Sequence, residues 1–299
     1  MTGPGAIQYF NRYTQRVEVE QVYGAAWLRW AYQNPVGRLA LALLIRRVIF
    51  SRWYGWRMNR PRSRSKIRPF IHTYNVAVEE FADPPETFRT FNEFFFRRLK
   101  PGVRPIDPEP RAVSFPADAR HLGFPDASKI TGVFVKGQRF ELARLLQDDA
   151  LAARYANGTV VLSRLCPVDY HRFHFPLAGQ AGAPRLIAGR LYSVSPIALR
   201  RNLAYLWENR RVITFIATAH LGTVIMLEIG ATNVGSIQQT YQPGVVLKGA
   251  EKGYFAFGGS STMLLFEPGR VQLAADLLAQ SQLSRELYAR MGDRLGMAC

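Results

Sequence analysis

The hydrophobic pattern of this 299-residue chain changes near residue 111, from helical spacing to strand-like runs. Apolar side chains at three- and four-residue spacing predict helices over residues 22–32, 36–50 and 76–81. β-Branched or alternating runs predict strands over residues 159–165, 190–194, 211–219 and 222–229. Helices followed by a mainly antiparallel β-rich core are typical of an α+β fold. We therefore predict two regions, residues 1–110 and residues 111–299.

Shorter patterns add detail to this prediction. Strands 211–219 and 222–229 should form a hairpin, and residues 254–257 and 263–266 should form another pair around Phe257-Gly-Gly-Ser-Ser-Thr262. Residues 60–68 are basic without an apolar face, which indicates a linker. A short helix should begin at Phe91. The tail after Val271 returns to helical spacing through Leu277, Leu278 and Leu287.

Positive charge is concentrated at the beginning of the chain. The net charge is +17, and residues 1–70 hold thirteen Lys/Arg against two Asp/Glu. Such a field attracts nucleic acid or an anionic membrane. Tryptophan and tyrosine alternate with arginine over residues 22–56, and this mixture suits the headgroup region of a bilayer. We predict helices that lie on a membrane, with a helical cap on the protein's own core as the alternative.

The remaining composition indicates where the chain works. The apolar run 39–45 is far too short to span a bilayer, which needs about 20 residues. No apolar run with a small-residue cleavage site follows Met1, so we expect no signal peptide. Cys166 and Cys299 form neither a disulfide framework nor a metal pattern. We expect a peripheral protein on the cytoplasmic face of the cell membrane.

Three places far apart in the sequence carry side chains that could act together. Asp118 follows a proline-fixed turn, His171 and His174 share one short segment, and Ser260 follows Gly259. A histidine that takes the proton of a serine hydroxyl, and an aspartate that stabilises the charged ring, make an activated nucleophile. As an isolated motif, however, the Gly-Gly-Ser-Ser run is more typical of an ordinary turn.

Two other uses of these residues each lack a feature that they require. A metal site at the two histidines would need a third ligand, and none is spaced for it nearby, so we predict no metal. A serine hydrolase would need a Gly-x-Ser-x-Gly elbow between a strand and a helix. Here Ser261, Thr262 and strand-like residues follow Ser260, so that context is missing.

The sequence resembles the phosphatidylserine decarboxylases over most of its length. The run Asp-Tyr-His-Arg-Phe-His ending at His174 and the pair Gly259-Ser260 are specific when they occur in this order. Matching segments also include Tyr9-Phe-Asn-Arg-Tyr-Thr14, Val22-Tyr-Gly24, Phe91-Asn-Glu-Phe-Phe95, Arg104-Pro-Ile-Asp107, Pro116-Ala-Asp118, Lys136-Gly137, Gly230-Ala-Thr-Asn-Val-Gly-Ser236, Lys248-Gly-Ala-Glu-Lys-Gly253 and Phe266-Glu-Pro-Gly269. Two departures are Ala119, where the family usually has glycine, and Ser261, where the best-known bacterial motif has threonine. Ser261 as the processed residue is a minor alternative.

The resemblance implies a proenzyme that cuts itself between Gly259 and Ser260, into a β chain of residues 1–259 and an α chain of residues 260–299. Asp118, His174 and Ser260 would form the charge relay for this cleavage, and Ser260 would become a covalent pyruvoyl group. This ketone would condense with the amine of a serine headgroup and accept the electrons left by CO₂, so no pyridoxal phosphate is required. His171 would be the proton donor in decarboxylation.

The family thus implies a carboxy-lyase that converts phosphatidylserine to phosphatidylethanolamine. Its partners would be an anionic phospholipid membrane, the lipid substrate and its own two chains, with no nucleic acid. The sequence leaves further oligomerisation open. Two alternatives remain at this point: an unprocessed lipid-binding member of the family, and a serine hydrolase that uses the same triad.

Overall fold

The computed structural model describes residues 7–22, 24–41, 48–130, 140–231, 237–256 and 260–299. The strands are β1 (Gln8–Asn11), β2 (Arg16–Val19), β3 (Ala112–Ser114), β4 (Ala119–Phe124), β5 (Thr159–Leu165), β6 (Arg172–His174), β7 (Gly179–Ala181), β8 (Arg185–Ile187), β9 (Arg211–Ala217), β10 (Thr223–Gly230), β11 (Ile237–Gln239), β12 (Gly244–Val246), β13 (Glu251–Phe255), β14 (Ser260–Phe266), β15 (Val271–Leu273), β16 (Glu286–Ala289) and β17 (Arg294–Ala298). The helices are α1 (Ala25–Gln33), α2 (Pro35–Ala40), α3 (Val48–Met58), α4 (Ile67–Tyr74), α5 (Phe91–Phe95), α6 (Leu142–Leu146), α7 (Asp149–Tyr155), α8 (Pro196–Leu199), α9 (Tyr205–Glu208) and α10 (Ala275–Gln282). No helix in the described ranges is both long and apolar enough to cross a bilayer.

One large, mostly antiparallel sheet dominates the molecule. Its strand order is β12-β7-β9-β10-β14-β5-β4-β16-β1-β2, and β8 pairs with β9 away from this path. Strands β9 and β10 pair as neighbours through the predicted turn, so that hairpin is confirmed. The α+β prediction with a mainly antiparallel core is confirmed as well. The membrane-facing position of the N-terminal helices stays a prediction.

The beginning of the chain is not only helical. Strands β1 and β2 form a hairpin, and β1 pairs in parallel with β16 near the other end of the chain. The Tyr9 hydroxyl donates to Glu18 at 2.7 Å, which links the two strands of the hairpin. This hairpin therefore extends the large sheet before the helices begin.

The prediction of a second strand pair near residue 260 is wrong. Strand β13 pairs with β6 and β11 in a separate three-stranded sheet, whereas β14 pairs with β10 and β5 in the large sheet. Both strands lie near their predicted positions, but β5, β6 and β10 come from distant parts of the chain, and β11 lies only a short way before β13. Residues 257–259 between them lie outside the described residues.

Two smaller predictions are also wrong, and tertiary packing explains both. The basic stretch predicted as a linker forms a 3-10 helix, Pro61–Lys66, whose buried Ser63 donates to the Met58 carbonyl at 2.8 Å and accepts from the Phe91 amide at 2.9 Å. In the tail, α10 is helical as expected, but Leu287 lies in β16, which pairs with β1 and β4. The helix predicted at Phe91 is confirmed as α5.

The large sheet separates two apolar cores. On one face, Leu264 and Phe266 of β14 contact a core that includes Phe173 of β6 and Phe255 of β13, so we call this face the β6 face. On the other face, Met263 and Leu265 belong to a core with α6 to α9, which we call the helix face. Residues on one strand alternate between the two faces.

Charged side chains also lie inside the β6-face core. Lys252 of β13 and Glu228 of β10 form an ion pair with Nζ–Oε distances of 2.9 and 2.8 Å, and both side chains are fully buried. Gln239 hydrogen-bonds to each of them at 2.8 Å, and Lys252 lies over the ring of Phe173. Both charges are therefore compensated where water does not reach.

Candidate active site

Ser260 is the first residue of β14 and lies between two neighbouring strands. It pairs with Gly230 at the end of β10 and with Leu165 at the end of β5. Its side chain is fully buried, and its Oγ has no hydrogen-bond partner among the described residues. Gly259, the predicted cleavage partner, lies outside the described residues. The hydroxyls of Ser261 and Thr262 on the same strand are likewise buried without a partner among the described residues, so Ser260 differs from them in its place at the head of β14 and in the face to which it points.

The alternation of side chains along β14 separates Ser260 from Ser261. Ser260 has the same parity as Leu264 and therefore faces the β6 face, whereas Ser261 has the parity of Met263 and faces the helices. Strand β6, which carries His174, covers the face of Ser260. Ser260 therefore lies on the face of the sheet that β6 covers, whereas Ser261 lies on the helix face.

The first residues of two strands bring Asp118 and Ser260 to one edge of the sheet. Strands β4 and β14 both run antiparallel to β5, which lies between them. Their first residues, Ala119 and Ser260, therefore lie at the same edge, two strand spacings or roughly 10 Å apart. Asp118 directly precedes Ala119, and the His174 amide donates to the Pro116 carbonyl at 2.8 Å.

His174 is buried and held through both ring nitrogens. Its Nδ1 lies 3.0 Å from the Gly249 carbonyl and its Nε2 lies 3.1 Å from the Tyr170 hydroxyl. Because a carbonyl can only accept, Nδ1 carries the proton and Nε2 accepts from Tyr170. Burial lowers the pKa of His174, while the Gly249 contact and the charge of Asp118 act in the opposite direction. The neutral ring therefore has a basic Nε2.

His171 has a different environment, in which one ring nitrogen has no hydrogen-bond partner among the described residues. Its Nδ1 donates to the Asp169 carbonyl at 3.0 Å, and the Phe95 ring lies 3.8 Å away between centroids. Its backbone carbonyl accepts from the Phe255 amide at 2.9 Å. Nε2 is buried and has no partner in the described part of the chain. Burial lowers the pKa of His171 to about 3, with the nearby Arg97 charge acting in the same direction.

Asp118 is bound to an arginine and not to a histidine. Arg104 donates to both carboxylate oxygens at 2.7 to 3.0 Å, and the Met291 amide donates to Oδ1 at 2.9 Å. Arg104 also binds Glu80 at 2.7 Å. The structure thus brings Asp118 near His174 without the hydrogen bond that a charge relay uses. The assignment of roles to Asp118, His171, His174 and Ser260 stays a prediction.

Sequence reasoning missed several residues that hold this site together. Tyr170 and Asp169 contact the two histidines, Arg104 binds the aspartate, and Phe95 stacks on His171. All four lie within segments that carry the family resemblance, and Asp169 and Tyr170 adjoin His171 in the sequence. The motif was the available signal, but only the fold assigns each side chain a contact. Within the described ranges, no group of three or more His, Cys, Asp or Glu could hold a metal ion.

Comparison with known proteins identifies the class to which this fold and site belong. A family model described as phosphatidylserine decarboxylase matches residues 91–297. The chain is 43% identical over 289 residues to the phosphatidylserine decarboxylase proenzyme of Chlamydia trachomatis serovar L2, with 96% of each chain covered. It is 45% identical over 289 residues to that of Chlamydia muridarum, with the same coverage. It is 40% identical over 291 residues to that of Fusobacterium nucleatum, with 97% of each chain covered.

These matches extend over nearly the whole length of each relative, and they confirm the resemblance seen in the motifs. The class is that of the carboxy-lyases whose curated members are named as proenzymes. The chain belongs to the phosphatidylserine decarboxylase family.

Proposed function

We propose that this protein decarboxylates phosphatidylserine to phosphatidylethanolamine and CO₂, with a pyruvoyl group made from its own Ser260. The observation that carries the proposal is the position of the buried Ser260 hydroxyl, at the head of β14 and on the sheet face that β6 covers. The printed name of the relatives, phosphatidylserine decarboxylase proenzyme, supports both the lipid substrate and self-cleavage.

In the cleavage step, Nε2 of His174 is the base that takes the hydroxyl proton of Ser260. The Ser260 oxygen then attacks the carbonyl of Gly259, and the C–N bond between the two residues breaks to leave an ester. β-Elimination of this ester separates the chain into residues 1–259 and 260–299, and hydrolysis of the dehydroalanine left at position 260 releases ammonia and leaves the ketone. One contact supports this role for His174, since the Gly249 carbonyl keeps the proton on Nδ1 and leaves Nε2 as the acceptor. Nε2 accepts from the Tyr170 hydroxyl before cleavage and must give up that bond to take the proton of Ser260. The negative charge of Asp118 stabilises the ring once it is protonated.

The position of Ser260 suits a covalent pyruvoyl group. The side chain is inside the sheet, away from water, and nothing in the described residues competes for its oxygen. Such a group supplies a ketone that binds the substrate amine and withdraws electrons from the bond to CO₂. The chain's own residues must then bind the lipid, exclude water and move protons.

His171 is the residue that handles the proton at the substrate carbon. Its ring is neutral because burial lowers its pKa to about 3, and its Nε2 has no partner in the described residues. An amine that enters as an ammonium must lose protons before it can react with a ketone. Nε2 of His171 would take one of these protons only while the carboxylate of the bound lipid lies beside the ring, because that negative charge raises the histidine pKa, and it would return the proton to carbon as CO₂ leaves.

The N-terminal helices would hold the enzyme on an anionic membrane at the cytoplasmic face. Trp27 and Trp30 of α1 stack at 5.0 Å between centroids, and both are exposed. On α3, Trp53 and Trp56 are exposed with Arg57 and Arg60 over their rings. Exposed aromatic rings beside guanidinium groups match the interface between lipid headgroups and acyl chains. The substrate lipid would be reached from this surface.

Intact-mass spectrometry of the purified chain, beside Ser260→Ala, tests the proposal. We expect two wild-type chains that separate after Gly259, with a pyruvoyl end on the small one, and a single chain for the variant. Ser261→Ala is the matched control, because its hydroxyl faces the helices and should not be needed for the cut. A wild-type chain that stays whole and turns over no phosphatidylserine would contradict the proposal. Reaction of that whole chain with a serine-directed phosphonate would favour a hydrolase.

A further inference from the structure

Asp169 lies between His171 and a cluster of buried charges, and the proposed reaction gives it no part. We propose that Asp169 is a positioning residue for His171: Arg120 holds its carboxylate, and its backbone carbonyl sets the histidine ring. The inference rests on the proposed function, because it concerns the proton that His171 handles.

The carboxylate of Asp169 is fixed at two points. Arg120 of β4 donates from Nη1 to Oδ2 in an ion pair whose side chains are 6% and 4% exposed. The Cys166 amide donates to the same oxygen at 2.6 Å, and the Asp169 amide donates back to the Cys166 carbonyl at 2.8 Å. The turn from residue 166 to residue 169 is therefore closed twice and tied to the neighbouring strand.

Arg120 cannot easily move away from this carboxylate. Its guanidinium lies 4.9 Å from the ring centroid of Tyr9 and 5.2 Å from that of Tyr288, on strands β1 and β16. Glu20, at the end of the N-terminal hairpin, lies 3.6 Å from its Nε. Charge and packing together hold the guanidinium in one place.

The backbone carbonyl of Asp169 determines the tautomer of the His171 ring. Its backbone carbonyl accepts from Nδ1 of His171 at 3.0 Å and from Nη2 of Arg97 at 3.4 Å. The Phe95 ring restrains the plane of the imidazole. Only the carbonyl, however, decides which nitrogen carries the proton. If the turn relaxes, the ring is free to take the other tautomer, and Nε2 is no longer the bare nitrogen.

The same cluster supplies a matched control. Glu286 of β16 is as buried as Asp169, and it binds Arg164 at 2.5 and 2.9 Å. Arg164 in turn binds Glu20 at 2.5 Å. Glu286 makes no hydrogen bond to residues 166–171 in the described structure. Neutralising either carboxylate removes one buried charge beside an arginine. Glu286 reaches the turn only through Arg164, which donates to Cys166 Sγ at 3.0 Å, whereas Asp169 bonds to the histidine itself.

The first test reads the histidine directly and needs no activity. Isotope-labelled histidine in the uncleaved Ser260→Ala chain gives nitrogen shifts that distinguish the two tautomers, and His171→Gln assigns the signal. We expect one tautomer, with the proton on Nδ1, in the parent chain and with Glu286→Gln. We expect a mixture with Asp169→Asn. The same single tautomer in all three chains would overturn the proposal.

The second test follows the proton during turnover. When the proton reaches the substrate carbon, hydrolysis releases phosphatidylethanolamine and restores the ketone. When it reaches the carbon of the pyruvoyl group, hydrolysis leaves the amino group on the chain as an N-terminal alanine and releases a lipid aldehyde. We expect Asp169→Asn to cleave itself normally, to lose about tenfold or more in turnover, and to accumulate alanine at the α-chain end. Glu286→Gln should also cleave itself normally, but it should show neither the loss of turnover nor the alanine at the α-chain end.

Each result separates the inference from the function on which it rests. No cleavage in the wild type refutes the proposed function, whereas the tautomer measurement still decides the role of Asp169. If Asp169→Asn does not fold, Arg120→Lys and Arg120→Gln replace it, since only the lysine keeps the charge. The lysine variant should then keep the parent tautomer, and the glutamine variant should lose it. Equal behaviour of these two would also count against Asp169 as the positioning residue.

Discussion

Two regions of this molecule combine arginine with aromatic rings in opposite ways. On α3 and the following turn, Arg57 and Arg60 lie over tryptophan rings that are exposed, and no carboxylate among the described side chains forms an ion pair with either guanidinium. In the sheet, Arg120 lies between two tyrosine rings but also binds Asp169 and lies near Glu20. Water compensates the first set of charges, and only acidic partners compensate the second.

The difference matters for stability as well as for function. An exposed ion pair contributes about 0–1 kcal/mol, whereas removing one partner of a buried pair costs about 3–5 kcal/mol. Substitution of a charged residue in the N-terminal helices should therefore cost little stability, and function there requires only that the surface stays basic and aromatic. The sheet can change its charges only in pairs.

The largest effect should follow from breaking a buried pair. Lys252→Met leaves Glu228 buried without its cation, so we expect the free energy of unfolding to fall by about 3–5 kcal/mol. The double variant Glu228→Leu with Lys252→Met should be close to wild type, because both charges are gone. Urea unfolding of the Ser260→Ala chain measures both.

Arg68→Met is the matched control in the helical region. Arg68 lies 3.4 Å from Glu86, and the two side chains are 83% and 58% exposed. We expect this change to alter stability by less than about 1 kcal/mol. Equal losses for Arg68→Met and Lys252→Met would remove the contrast between the two regions.

A second effect depends on pH and belongs to the sheet alone. His121 is buried, with Nδ1 2.8 Å from Ser163 Oγ and Nε2 3.2 Å from the Ala289 carbonyl. Burial lowers its pKa to about 3. The unfolded chain, with a histidine pKa of about 6.5, therefore binds more protons between these values. Stability falls as the pH drops through this window, by up to about 1.4 kcal/mol per unit for each such histidine.

His121→Gln should reduce the acid sensitivity without removing it, since His171 and His174 are also buried with lowered pKa values. Unfolding free energies at pH 7 and pH 5 give the slope, and the difference between the two pH values should be smaller in the variant. An unchanged slope would mean that burial of His121 does not control its protonation. His72→Gln, at an exposed position of helix α4, controls for the substitution itself.

The sequence predicted the pairing of strands that are adjacent in the chain better than the pairing of strands that are far apart in it. The hairpin of β9 and β10 was predicted, because both strands and their turn are adjacent in the chain. The partners of β13 were not, because β6 and β11 approach it from outside the local sequence. Leu287 fits a helical spacing locally, yet pairing with β1 and β4 places it in a strand.

The site divides in the same way. Motifs identified Asp118, His171, His174 and Ser260, but nothing in their spacing indicates that Arg104 occupies the carboxylate of Asp118. Arg104 belongs to a short motif of its own, and only the fold brings it to the aspartate. Hydrogen-bond partners that come from different elements are set by tertiary packing, which a single sequence does not display.

The smallest effect on stability should come from the helical surface. Trp27→Ala with Trp30→Ala removes two stacked rings that are 42% and 37% exposed, so we expect the free energy of unfolding to change by about 0.5 kcal/mol or less. Binding to vesicles that contain an anionic phospholipid should nevertheless weaken markedly. Sedimentation with these vesicles, beside neutral ones, measures the loss. Unchanged vesicle binding would argue against a membrane role for α1.

The position of Ser260 inside the sheet has a consequence for the lifetime of the enzyme. A pyruvoyl group made from the chain itself cannot be exchanged for a fresh one, so each molecule would work only as long as that one ketone survives. Ketones react readily with the free amines, hydrazines and reductants of a cell. Ser260 is fully buried and sits between two strands, not at the end of a mobile tail. The buried position that organises the chemistry would also protect the pyruvoyl group from every reactant except the lipid that binds in the site.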